Sequence, residues 1–354
     1  KRSLRVIHNE ELIHPFQPYN NIATANQIEY FEKVFDLKTG IDSYNQIWQW
    51  KELMTLISMI IALIMIIPMS KVLLSLNIFK SLVVDIPKPL PIQSKNSKII
   101  FWIIFILGAL IACFSYIPMV DAAKNIFPAA ASRDLTWFFP QRMNNSVMLW
   151  AAFNGIIGLL LFFLSYNFFG KKHGVSKNSW GLKADWKYII KTFFLAVLVF
   201  SLYYFLLFSI YYLFHVDYRF WFMGVRIFQP EMLLVLAMYA PLFFIFFFSN
   251  SLRVNGAMRI EGQAEWKSML IAGMANSLGL FLIILIQYIT FAKSGTVFWT
   301  TNWLSVNLLF AIIPMMFVLP YFNRYFFYMT GRVYLGPMVT TLIFIMILST
   351  NTVV

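Results

Sequence analysis

The sequence predicts an all-α polytopic membrane bundle of about seven to eight transmembrane helices, preceded by a short segment of mixed polarity. Three observations carry this. Hydrophobic residues make up 60% of the 354 positions, and the mean hydropathy is +0.70. Charged residues are only 12%, about half the roughly 25% a soluble domain uses to cover its surface. Those charges gather between long apolar runs, the pattern of a chain that crosses a bilayer repeatedly.

Residues 1–50 read as a soluble segment and residues 51–354 as the membrane domain. Leu4-Arg5-Val6-Ile7 suits a short strand, and a polar loop with Pro15 and Pro18 follows, from His8 to about Tyr19. Between Asn20 and Phe35 the apolar residues Ile22, Ile28, Phe31, Val34 and Phe35 recur at helical spacing, predicting an amphipathic helix that ends near Gly40. Strand, loop and one helix cannot bury a core alone. With Lys1-Arg2-Ser3 at the start of the sequence, the expectation is a piece of a larger domain whose front part lies upstream.

Eight candidate spans follow, at residues 53–74, 99–120, 147–169, 188–214, 232–248, 269–292, 304–322 and 333–348. Most supply the roughly 20 residues needed to cross about 30 Å of hydrocarbon. The last is short and contains Gly336 and Pro337, so its crossing is the weakest expectation. About fifteen cations lie after the odd-numbered spans, among them Lys71–Lys98, Lys171–Lys187, Arg253, Arg259, Lys267, Arg324 and Arg332. About six lie in the alternate connections. The bias puts the odd-numbered exits in the cytoplasm, makes the protein a multi-pass plasma-membrane protein, and leaves residues 1–50 extracytoplasmic.

The net charge of +13 does not indicate a nucleic-acid partner, because the basic residues sit in short connections rather than on one face of a soluble module. The lone Cys113 excludes an internal disulfide and a cysteine-based zinc site. His173 and His215 fall in loops on opposite predicted sides, where they cannot share a metal. No elbow serine, metalloprotease helix, phosphate loop or dinucleotide fingerprint is present. No cofactor or metal is implied.

Against that background, His8-Asn9-Glu10-Glu11-Leu12-Ile13-His14-Pro15-Phe16, the helix ending Ile28-Glu29-Tyr30-Phe31-Glu32-Lys33-Val34-Phe35, and Gln46-Ile47-Trp48-Gln49-Trp50-Lys51-Glu52 stand out. Together with the preceding strand they resemble the C-terminal end of an α/β-hydrolase domain. More narrowly, they resemble that of bacterial dienelactone-hydrolase-like enzymes fused to a multi-span membrane domain. The resemblance covers about the first 52 residues, and the remainder matches in architecture only. It implies a membrane-anchored serine hydrolase of ester or acyl bonds, with a histidine after the last strand as general base and the serine and acid upstream. His14 is the candidate base and His8 its alternative; the bland reading makes both surface residues of a polar loop.

Two other readings stand beside this one. The bundle is a transport or lipid-binding protein without enzymatic activity, or it only anchors the soluble segment. No Asp, Glu, Lys or Arg is expected near the middle of a span, which argues against an ion-coupled transporter. Asn154, Asn276, Gln287 and Asn307 are expected to hydrogen-bond between helices. Aromatic residues crowd the predicted outer boundaries: Trp48 and Trp50, Trp137-Phe138-Phe139, Phe220-Trp221-Phe222, and Trp299 with Trp303. They suit an interfacial belt or a groove for membrane lipids and an ester or lipid-like substrate. Trp137, Arg133, Arg142 and Trp221 are the candidate lining of that groove.

Overall fold

An apolar run in hydrocarbon has no water to satisfy its backbone, so it must pair its N–H and C=O groups internally and becomes a helix. A computed structural model of the chain describes residues 4–92, 94–216, 218–220 and 223–352. Its helices are α1 (Asn21–Phe35), α2 (Trp48–Ser75), α3 (Lys95–Ile126), α4 (Pro128–Ser132), α5 (Arg142–Ser165), α6 (Trp186–Phe214), α7 (Met232–Gly256), α8 (Glu265–Ser294), α9 (Trp303–Asn307), α10 (Leu309–Thr330) and α11 (Leu335–Asn351). Among the described residues, seven helical segments are long and apolar enough to cross a membrane. The protein is a multi-pass membrane bundle.

The long helices alternate in direction, giving the bundle two distinct ends. The N-terminal segment and the C-terminus of α11 share one end, called here the N-terminal end. The other, the basic end, carries the Lys-rich connections. Helices α3, α5, α7, α10 and α8 pack in sequence around one core, in which Trp150, Tyr116, Phe243, Phe247 and Leu280 are buried. Helix α11 lies against α7 and α10, α6 against α11, and α2 against α6, enclosing a second core with Ile66, Leu195, Tyr203 and Met346. Two short antiparallel strands, β1 (Tyr218–Phe220) and β2 (Met223–Val225), pair at the N-terminal end beside α2 and α11. The Glu52–Arg219 ion pair, 3.1 Å, ties β1 to α2.

Glycine sets the closest approaches. A methyl group added to Gly155 of α5 would lie 2.6 Å from the backbone nitrogen of Phe246 in α7. One added to Gly279 of α8 would lie 2.5 Å from the carbonyl of Ala109 in α3. Small residues let helices associate through backbone contact where no hydrophobic force separates protein from lipid.

Two sequence expectations are corrected. Residues 4–7 form no strand: with no neighbouring strand to complete a ladder, an alternating segment has nothing to pair with. The last candidate span is, as expected, the least secure crossing, since α11 is not among the seven helices long and apolar enough to cross a membrane. Helix α11 has 17 residues, and most of them, from Leu335 to Ser349, are buried between the two cores. Pro337 does not interrupt it, because it occupies the first turn, where its missing N–H would have had no partner. Finally, α7 runs on to Gly256 and α10 to Thr330, so Arg253 and Arg324 belong to helices rather than loops.

Helix α1 forms as the spacing predicts. Asn20 caps it, its Oδ1 accepting from the N–H of Ile22 (2.9 Å) and Ala23 (3.1 Å). Its start is joined to α2 by Trp48 Nε1 and Gln49 Nε2, each donating to Asn21 Oδ1 at 2.8 Å.

Candidate functional site

Helices α3 and α5 touch toward the N-terminal end. Trp150 Nε1 donates to the carbonyl of Ala112 at 2.9 Å, and Asn154 Nδ2 donates to Ser115 Oγ at 3.0 Å. Tyr116 stacks edge-on against Trp150, 6.2 Å between ring centroids. From this contact toward the basic end an open slot separates the two helices, with a cavity volume of about 350 Å³. Ile104, Phe105 and Gly108 of α3 form one wall, and Ile157, Leu161 and Phe162 of α5 the other. Phe246, Arg253 and Gly256 of α7, with Ala275 and Asn276 of α8, supply the floor. At the basic end Ser94, Ser97, Tyr166 and His173 surround the mouth.

The mouth is held by Arg259. Its guanidinium donates to the carbonyls of Pro87, of Lys88 (3.1 Å) and of Ser179 (3.0 Å), and it stacks on the Phe327 ring at 4.9 Å. Leu90 and the 259–261 stretch exchange backbone hydrogen bonds of 2.8 and 2.9 Å. Three connections at the basic end are thereby tied together. Burial, and secondarily the nearby Arg324, lower the Arg259 guanidinium to about 10, so it remains charged at neutral pH.

The floor carries a chain of buried amides. Asn323 Nδ2 donates to Asn250 Oδ1 (2.7 Å), Asn250 Nδ2 to Asn276 Oδ1 (2.7 Å), and Asn276 Nδ2 to the Met316 carbonyl (3.1 Å). Arg253 Nη2 also donates to Asn276 Oδ1. Its Nε is shut off from solvent and has no hydrogen-bond partner. The ion pairs among the described residues are Lys124–Asp121, Arg219–Glu52 and Arg324–Glu265, and none includes Arg253. A cation with incomplete hydrogen bonding thus faces a slot whose walls are mainly apolar.

The residues singled out from the sequence fall elsewhere. His8 is exposed. His14 opens a 3₁₀ turn, His14–Tyr19, but its side chain lies outside the described residues. Trp137, Arg133 and Arg142 are exposed at the N-terminal end, where Trp137 meets Phe138 edge-on at 5.6 Å. Trp221 lies outside the described residues. Arg142 borders only a small recess of about 10 Å³, shared with Lys124 and Asn145. The larger cavity opens at the opposite end of the bundle.

Sequence reasoning missed Arg253 as a lining residue. The signal was the polar run Ser249-Asn250-Ser251-Leu252-Arg253-Val254-Asn255, which keeps helical spacing straight after an aromatic span. Three of the four in-span amides bond between helices as expected: besides Asn154 and Asn276, Asn307 accepts from the Tyr288 hydroxyl, whereas Gln287 accepts from the Trp299 N–H, 2.8 Å, in the connection after α8.

In comparisons with protein-family models, curated proteins and solved structures, nothing matches this chain.

Proposed function

We propose that this chain is a lipid-binding membrane domain that takes an amphiphile from the bilayer into the slot between α3 and α5. The carrying observation is the slot itself: about 350 Å³, within the range of small-molecule sites, with apolar walls and a few polar groups on its floor. In this reading the membrane is the plasma membrane and the basic end is cytoplasmic, the orientation the cation bias favours. The slot then opens toward the inner leaflet. The test is to fill it. Gly108 lines the slot, and a Cβ there meets nothing within 4 Å, so Gly108→Phe places a ring in the cavity without a backbone clash. Photo-crosslinking of a diazirine-bearing lipid to the purified protein should fall at least tenfold in this variant while its melting temperature holds. Undiminished crosslinking would sink the reading.

A second reading has one observation in its favour. The α1 face of Phe31, Val34 and Phe35 is largely exposed, with Phe31 at 52% and Phe35 at 64%. Phe31 and Phe35 stack on one another, 6.1 Å apart. In an α/β-hydrolase that face would meet the sheet, and each large side chain would contribute about 1.5–3 kcal/mol on burial. The protein would then be a serine hydrolase of ester or acyl bonds, with the bundle as its membrane domain. Assayed together with any coding sequence that precedes Lys1, His14→Ala should abolish ester hydrolysis and His8→Ala should preserve it. The reverse pattern would move the base to His8, and absence of an upstream elbow serine would end this reading.

A further inference from the structure

We infer that the ligand of the α3–α5 slot is an anionic amphiphile, its oxyanion seated on Arg253 and its single hydrocarbon chain lying toward Trp150. This inference rests on the lipid-binding reading above and names the class of ligand. It begins with a charge that has no counterpart. Arg253 lines the slot, spends Nη2 on Asn276, and keeps a solvent-shielded Nε–H without an acceptor. A guanidinium presents five N–H donors in a planar fork suited to carboxylate or phosphate oxygens. Taking such a cation out of water is unfavourable unless an anion compensates. The ion-paired acids, Asp121, Glu52 and Glu265, are engaged with other cations.

The position of the charge within the slot sets the shape of the ligand. Gly158 of α5 faces Ser249 of α7, and Phe162 faces Gly256, so Arg253 is level with the α5 turn around Leu161. From there to Trp150 is eleven residues, about 16 Å at 1.5 Å per residue. This stretch is lined mainly by Ile104, Phe105, Gly108 and Ile157 and is closed by Trp150. A hydrocarbon chain fits this part, and an oxyanion fits the guanidinium at its start. The neighbouring amides are occupied with one another, which leaves the arginine as the group that reads charge.

The test uses three photoreactive probes with the same twelve-carbon chain: a carboxylate, an alkyl phosphate and a neutral alcohol. Binding is measured on the purified full chain in nanodiscs of neutral lipid. Wild-type protein should bind at least one anionic probe tenfold or more tighter than the alcohol. Whichever anion binds better identifies a fatty-acid-like or a phosphate-bearing source. Arg253→Met, which keeps the stem and removes the charge, should erase the preference, and Arg253→Lys should restore part of it. Gly108→Phe should block all three probes. Equal binding of alcohol and anions to wild type, or an anion preference that survives in Arg253→Met protein of unchanged melting temperature, would overturn the inference while leaving the slot intact. Failure of Gly108→Phe to reduce binding of any probe would instead remove the slot reading beneath it.

Discussion

Arg324 shows how the bundle places a charge inside itself. Its Nη1 donates to both carboxylate oxygens of Glu265 at 3.0 Å, and its Nη2 donates to the Val254 carbonyl at 2.7 Å. The two partners differ in exposure: the arginine side chain is 3% exposed and the glutamate 47%. Removing one partner is therefore not equivalent to removing the other. Glu265→Leu strands a buried guanidinium and should cost about 3 kcal/mol, the lower end for a broken buried pair. Arg324→Met leaves a carboxylate that can turn to water and should cost about 1–2 kcal/mol, the loss of its hydrogen bonds. Unfolding in detergent titrations should rank the variants in that order; an equal or reversed ranking would mean that the arginine is better solvated than its geometry indicates. Neither arginine was legible as an interior group. A charge ends an apolar window, so the spans were read as stopping at residues 248 and 322. The partner that makes the charge tolerable lies 59 positions away, which no local pattern reveals. The in-span asparagines were legible because an amide inside an apolar run has few alternatives to bonding its neighbours.

At the scale of elements, the helices follow from apolar run length, while their contacts follow from where side chains are missing. Gly155 and Gly108 make a controlled pair. Both are helical, but a Cβ at Gly155 would strike the α7 backbone, whereas at Gly108 it meets nothing. Gly155→Val should lower stability by about 3 kcal/mol or prevent accumulation of folded protein, since rigid backbone rather than a flexible side chain must yield. Gly108→Ala should be neutral or add up to about 1 kcal/mol through helix propensity. Melting temperatures in one detergent would check both, and comparable losses would contradict the assigned helix contacts. The sequence could not separate these glycines, because both stand in apolar runs and differ only in what lies across from them. The same limit explains the strand expected at residues 4–7. Alternation describes a strand that has a neighbour, and none of the described residues supplies one. Helix α1 was readable because its cap and spacing are local. Helix α11 is as short as its sequence indicates, and what no local pattern reveals is that both cores close around it.

For the whole molecule, the class and the alternation of its spans were readable from hydropathy and loop charge, but the location of the cavity was not. The aromatic cluster around Trp137 drew attention to one end, whereas the slot depends on two helices touching near Trp150 and parting beyond it. Orientation decides what this slot can reach. Moving Arg253 and Arg324 out of the loop count still leaves the basic end with a clear excess of lysine and arginine over the other. Retention of such loops in the cytoplasm would put the slot mouth, with Ser94 and His173, on the inner leaflet. Residues 4–47 would then face outward, together with the end of α11. Three single cysteines test this, each placed in a background in which the buried Cys113 is first replaced by alanine. Ser94 and Ser176 are exposed at the basic end, and Lys38 is exposed beyond α1. With an impermeant maleimide on intact cells, Lys38→Cys should label within minutes, whereas Ser94→Cys and Ser176→Cys should label only after the membrane is opened. Because seven long helices and α11 alternate in direction, the two basic-end positions must respond together. Labelling of both on intact cells, with Lys38→Cys protected, would invert the topology and place the slot mouth on the outer leaflet. A split between Ser94 and Ser176 would mean that α3, α4 and α5 do not make the two crossings the structure assigns them, and the slot between α3 and α5 could not exist as described.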